Sequence, residues 1–173
     1  MKIIYLLVLY ICAKFYVKAF IKEFTVKDDI RQLSGFIKQA FDNDVIIYFE
    51  NEYYDVSLLD EYDFEITMDV NVKFIGRTEG TILDYHNDKK GKIKAQFSQG
   101  KSKKFTMENI IFENYESDKY VYILNFISRT FDFYIELKNC TFRNCVSSFL
   151  SVDKYDSNNP IQHDHLLIEN CKF

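Results

Sequence analysis

Apolar positions along the chain follow two periods. Ile30, Leu33, Phe36, Ile37, Ala40 and Phe41 recur at helical spacing and predict an amphipathic helix over residues 28–41. Thr25 with Asp28 three residues on has the form of a capping box, Asp standing in for Glu. Asp28 and Asp29 suit the positive end of the helix dipole, and Asp42-Asn43-Asp44 ends the helix. From residue 45 the period becomes that of strands. Residues 45–49 form a continuous apolar run. Phe64, Ile66, Met68 and Val70 alternate with Glu65, Thr67 and Asp69, and residues 72–76 and 81–85 follow as further strands. The lysine-rich stretch 87–104 reads as a solvated loop or long hairpin, with a polyanion-binding patch as the lesser alternative.

A repeat organises the second half. Met107-Glu108-Asn109-Ile110-Ile111-Phe112-Glu113-Asn114 aligns without gaps to Leu137-Lys138-Asn139-Cys140-Thr141-Phe142-Arg143-Asn144 and to Ile168-Glu169-Asn170-Cys171-Lys172-Phe173. The intervals are 30 and 31 residues, with Asn71 to Phe74 as a weaker copy 38 residues before Asn109. Short strands that send alternate side chains inward, separated by residues able to turn the chain, make a coil that stacks on itself. Asn reaches left-handed backbone angles more readily than other non-glycine residues. Stacking at about 4.8 Å per rung then predicts ladders of Asn109, Asn139 and Asn170, and of Phe112, Phe142 and Phe173. Helical repeats are disfavoured because Phe, Tyr, Ile, Asn and Thr dominate each unit. An antiparallel meander would need Gly-rich two-residue turns that are missing. The expected fold is an all-β solenoid, a right-handed parallel β-helix with an N-terminal amphipathic capping helix.

Composition agrees with this. The chain has 17 Phe and 13 Tyr but no Trp, 5 Gly and a single Pro, so aromatic rings fill the rungs and Asn takes the turns. The formal charge of −4 removes the basic face that nucleic-acid binding needs.

Residues 1–19 read as a separate object. Lys2 precedes an apolar run at 3–13, and Val17-Lys18-Ala19 offers small or short residues for cleavage after Ala19. The expectation is a secretory signal peptide, the alternative an uncleaved membrane anchor through residues 3–21. Cleavage would leave 19 basic against 26 acidic side chains, about −7. The domain plan is then a signal peptide at 1–19, a cap of strand and helix at 20–44, and rungs over 45–173. The chain stops inside a third Asn-x-x-Phe unit, so the rungs are expected to be incomplete at the C-terminus.

Over residues 21–173 the sequence resembles the N-terminal part of pectin-lyase-like right-handed parallel β-helices. Phe24-Thr25-Val26 and the helix look like the cap. The run 45–54 looks like a first rung leading into an acidic-x-Tyr turn, and 66–76 like a strand that turns into Gly76. The resemblance implies polysaccharide lyases with a Ca²⁺ site of clustered acids, or glycoside hydrolases with paired acids on adjacent rungs beside a His and a basic residue. The Asn-Thr-Asp and Arg-Ile-Lys motifs of polygalacturonases are absent. The best acid–histidine group is Asp153, Asp156, His163, Asp164 and His165, set against the reading of 151–165 as a polar excursion between rungs. His163 and His165 would face the same way on a strand and could share a metal. No cofactor is implied.

Arg31, Arg77, Arg129 and Arg143 lack a convincing acid pair in sequence, and Arg143 reads as an outward-facing rung residue. Cys140 and Cys171 hold the same repeat position, so they form either a disulfide or a stacked thiol ladder; Cys145 is left over. Asn139-Cys140-Thr141 is a glycosylation sequon that competes with the Asn ladder. The expected function is a secreted or cell-surface binding, adhesive or structural module without a catalytic site. Its expected partner is an extracellular polysaccharide or cell-surface glycan, not nucleic acid, and a membrane only if the leader stays. The alternatives are a lyase or hydrolase of the resembled group, or a fragment of one, and a membrane-anchored interaction protein.

Overall fold

The computed structural model describes residues 21–39, 43–60, 64–98, 102–116, 121–129, 132–146, 148–154 and 165–173. Strand β1 (Ile21–Val26) and helix α1 (Gln32–Lys38) lead into β2 (Asp44–Phe49), β3 (Tyr53–Asp55) and β4 (Glu65–Met68). Then come β5 (Val72–Ile75), β6 (Thr81–Asp84) and β7 (Ile93–Phe97), followed by β8 (Lys103–Glu108), β9 (Ile110–Glu113) and β10 (Leu124–Ser128). β11 (Phe133–Lys138), β12 (Thr141–Arg143), β13 (Leu150–Lys154) and β14 (Leu166–Glu169) complete the order. Every pairing among the described strands is parallel. The first sheet runs β1-β2-β5-β8-β11-β14, the second β3-β6-β9-β12, the third β4-β7-β10-β13. From β2 onward the chain visits the three sheets in turn and then repeats, which is the parallel β-helix expected from the repeat.

Alternation drives the coil. In β2, Val45, Ile47 and Phe49 are buried while Asp44, Ile46 and Tyr48 are half-buried on the outer face. Phe74, Phe105, Phe112 and Phe126 are fully buried, each worth on the order of 2 kcal/mol in apolar surface removed from water. Phe142 lies flat on Phe112 with centroids 4.7 Å apart, and Phe173 on Phe142 at 5.4 Å. Asn109, Asn114, Asn139, Asn144 and Asn170 all hold positive φ between 52° and 59°, so Asn turns the corners on both sides of the second sheet. Asn139 donates its amide to Asn109 Oδ1 at 3.2 Å, and Asn144 to Asn114 Oδ1 at 3.2 Å.

Several expectations need correction. The helix is shorter than 28–41: α1 spans Gln32–Lys38, and Thr25 lies within β1. No side chain caps it and its first turn carries no acid; Asp29 instead accepts from the Arg31 N–H at 2.9 Å, closing a local turn before the helix. The apolar positions still serve, because Ile30 and Leu33 are buried and Phe36 stacks on Phe24 at 4.8 Å.

The stretch 87–104 is no plain loop. It contains β7, whose Ile93, Ala95 and Phe97 are buried between outward Lys94 and Gln96, and the start of β8. The weaker copy, Asn71 to Phe74, is out of frame with the other three. Phe74 stacks in register with Met107, whereas Leu83 is the residue level with Phe112. Residues 77–80 are an extra loop between β5 and β6, and it displaces the pattern.

Cys140, Cys145 and Cys171 are free thiols, so the structure holds the thiol ladder and not the disulfide. Burial pushes the Cys140 thiol up to about 12. Among the described residues no helix is long and apolar enough to cross a membrane.

Candidate functional site

The residues singled out from sequence do not converge among the described residues. Asp153 sits exposed on β13, level with Ile127. His165 precedes β14, where its ring stacks on Phe133 at 4.5 Å and its Nδ1 lies 2.8 Å from the Phe133 carbonyl oxygen. It acts there as a rung-packing residue. Asp156, His163 and Asp164 lie outside the described residues, and so does the proposed His163–His165 metal pair. Arg143 faces outward as expected, with its Nε 2.6 Å from Glu113 Oε1.

The outer face of the first sheet carries a cleft of about 270 Å³. Its walls come from five strands in register: Asp44 and Ile46 on β2, Lys73 on β5, Lys104 and Thr106 on β8, Glu136 on β11, with Asn71 just before β5 and Ile21 at the end of β1. Strand alternation puts these side chains on one face, and parallel stacking spaces them by one rung each.

Hydrogen bonds tie the floor together across rungs. Asp44 Oδ1 and Oδ2 accept from the backbone N–H and side-chain amide of Asn71, both at 3.0 Å, and Asn71 Oδ1 accepts from the Lys104 N–H at 2.8 Å. Glu136 lies between two ammonium groups, 2.8 Å from Lys104 Nζ and 3.1 Å from Lys138 Nζ. Burial opposes its charge, but the two lysines outweigh burial and hold the carboxyl below its ordinary value. Lys73 pairs with Glu108 at 2.7 Å. The face is therefore a grid of alternating donors and acceptors with balanced charge, and Tyr134 stands exposed beside Lys104 in the same register row.

A second cluster joins the edge of the second sheet to the turn after β6. Tyr53 donates its hydroxyl to Asp84 Oδ2 at 3.1 Å and lies 2.9 Å from His86 Nε2. His86 Nε2 is 3.6 Å from Asp55 Oδ2 and 3.9 Å from Asp84 Oδ2. Asp84 also accepts from the His86 N–H at 2.9 Å and the Asn114 amide at 3.0 Å. Burial works against the Asp84 charge, but these donors outweigh it and keep the carboxyl below its ordinary value. Tyr53 is pushed up to about 12, by burial and then by Asp84.

His86 and Asn87 both hold positive φ, 50° and 59°, and Asp88 donates its N–H to the Tyr85 carbonyl at 2.8 Å. That is a type I′ turn, and the cluster clamps it to the stack. No group of three or more His, Cys, Asp or Glu side chains among the described residues is placed to hold a metal ion.

Sequence reasoning missed both places. The second cluster had a usable signal: Asp55, Asp84, Glu113 and Arg143 each follow the inward residue of the second sheet, so rung stacking superposes them. The cleft had none, because Asp44, Asn71, Lys104 and Glu136 are scattered along 93 residues of sequence. Comparison with protein-family models, with curated proteins and with solved structures finds no match for this chain.

Proposed function

We propose that the protein is a secreted or cell-surface, non-catalytic β-solenoid that binds an extended polysaccharide or cell-surface glycan along the outer face of its first sheet. The observation that carries this is the cleft over Asp44, Asn71, Lys73, Lys104, Thr106 and Glu136. A hydroxyl-rich polymer offers donors and acceptors at regular intervals, and a rigid grid of both kinds can meet them without paying to order its own side chains. The near balance of lysine and carboxylate on this face favours a neutral or mixed-charge glycan over a polyanion.

The test is a glycan array probed with the purified protein, followed by Lys104→Ala and Glu136→Gln variants against any hit. Binding that both variants weaken supports the reading; binding that neither changes places the ligand elsewhere, and no ligand on the array counts against the reading. Export rests on residues 1–19 alone. N-terminal sequencing of protein recovered outside the cell should begin at Phe20, and an intact leader would favour the membrane-anchored alternative.

A second reading, a hydrolase or lyase of the pectin-lyase-like group, draws on Asp55 and Asp84 standing on adjacent rungs beside His86. A general acid at neutral pH needs a carboxyl whose affinity for its proton is raised. Asp84 has the opposite shift and three donors already bound to it. Polymer-cleavage screens on pectins and related substrates should be negative; cleavage abolished by Asp84→Asn would reverse the order of the two readings.

A further inference from the structure

The two ends of the solenoid are finished differently. At the first end, α1 lies against β1: Phe36 stacks on Phe24 and Lys22 Nζ donates to the Gln39 carbonyl at 2.9 Å. Ile30 and Leu33 are buried there, and β1 itself carries Lys22 and Glu23, charges that discourage strand addition. At the other end, β14 reads Leu166-Leu167-Ile168-Glu169 and every one of its residues is exposed. Leu166 and Ile168 stack in register on Ile135 and Leu137, which are buried, so they occupy core positions that no described coil covers. Phe173, 67% exposed, extends the same apolar surface beyond Phe142 and Phe149.

We propose that this end is an isologous interface, at which β14 pairs antiparallel with β14 of a second copy and two solenoids join end to end. Backbone direction sets the register. The carbonyls of His165 and Glu169 accept from Ile135 and Asn139 at 2.8 and 2.9 Å, so they face β11. By strand alternation the N–H and C=O groups of Leu166 and Ile168 face the edge on which no described strand pairs. An antiparallel pair centred on Leu167 matches Leu166 with Ile168 of the second copy, so each exchanges both backbone bonds, and inward side chains meet inward side chains. Centring on Ile168 instead would set Leu167 against Glu169. Because both copies use the same edge in this contact, it closes as a twofold dimer and does not propagate into a fibre.

Sedimentation of the purified protein tests this, together with Leu167→Lys and with Leu167→Cys in a Cys171→Ser background. Opposed residues at a non-hydrogen-bonded site have Cα atoms about 4.5 Å apart, within disulfide range. The expected results are a dimer, a disulfide-linked dimer of Leu167→Cys on mild oxidation, and a dissociation constant raised roughly tenfold or more in Leu167→Lys with its circular dichroism unchanged. Leu58→Cys, exposed in the first coil, should stay uncrosslinked. A monomer at the highest soluble concentration overturns the proposal, whether or not hydrogen exchange finds the Leu166 and Ile168 amides protected by other parts of the chain. Open-ended growth with concentration overturns it, and so does a dimer indifferent to both Leu167 variants.

Discussion

Asn139 donates its side-chain amide to Oδ1 of Asn109, and both residues hold left-handed backbone angles at the same corner of successive coils. Two separable contributions meet in one residue type. The backbone angle costs a β-carbon residue roughly 1–2 kcal/mol unless the side chain compensates locally. The exposed amide bond adds on the order of 1 kcal/mol or less. Asn139→Ala should therefore lose about 1–3 kcal/mol in urea unfolding, and Asn139→Gly, which keeps the angle, clearly less. Equal losses would mean that the ladder bond, not the turn, is what Asn supplies.

The corners and the inward aromatics were legible because they recur in sequence: Asn109, Asn139 and Asn170 mark one corner, and Phe112, Phe142 and Phe173 one interior stack. Positions that break the count were not. β7 hides its alternation of Ile93, Ala95 and Phe97 inside a stretch whose lysine content signals solvent. Residues 77–80 shift the frame of the earlier coil, so Asn71 and Phe74 imitate a repeat to which they do not belong. The Tyr53–Asp84–His86 cluster and the cleft arise only from stacking, which brings together residues about one coil apart, and a linear motif search has no access to that.

The corner that lacks Asn shows why composition alone misleads there. Gly76 stands level with Asn109, and a β-carbon at Gly76 would run into the Asn109 backbone carbonyl and crowd the Ile110 side chain. Backbone atoms cannot give way as a flexible side chain can. Gly76→Ala should destabilise by at least about 2 kcal/mol. Gly35 gives the opposite sign: its β-carbon would meet nothing within 4 Å, and it lies inside α1, so Gly35→Ala should stabilise by up to about 1 kcal/mol. Thermal melts of the two variants test the pair, and a destabilising Gly35→Ala would contradict the open surface described at that position.

Acid should unfold the protein partly through Asp84 and Glu136. Both carboxyls sit below their ordinary values of 3.8 and 4.5 in the folded chain. A lowered folded pKa gives stability that is complete above the unfolded value and disappears as pH falls through the folded one. The melting temperature should therefore drop below about pH 4.5, and Asp84→Asn should flatten that decline while lowering stability at pH 7. Tyr53 acts on the alkaline side. Its folded pKa near 12 exceeds the unfolded value of 10.0, so its contribution is complete below pH 10 and is lost between pH 10 and 12. Absorbance titration of Tyr53→Phe should remove one late-ionising tyrosine.

The stacked thiols should differ in reactivity although they share a repeat position. Cys140 is buried, its Sγ lies 3.4 Å from the Lys138 carbonyl and 3.8 Å from that of Met107, and burial lifts its pKa to about 12. Only the thiolate attacks, so at pH 8 a vanishing fraction of Cys140 is reactive, and reagent cannot reach it. Cys145, also raised by burial, is partly exposed, and Cys171 on the outermost rung is half-buried at most. Timed alkylation read by peptide mass should label Cys171 first, then Cys145, and Cys140 only at the rate at which the chain unfolds. Coincident labelling of Cys140 and Cys171 would show that the last coil opens far more readily than the coils beneath it. Recovery of a Cys140–Cys171 disulfide would replace the thiol ladder with a covalent clasp on the same two rungs.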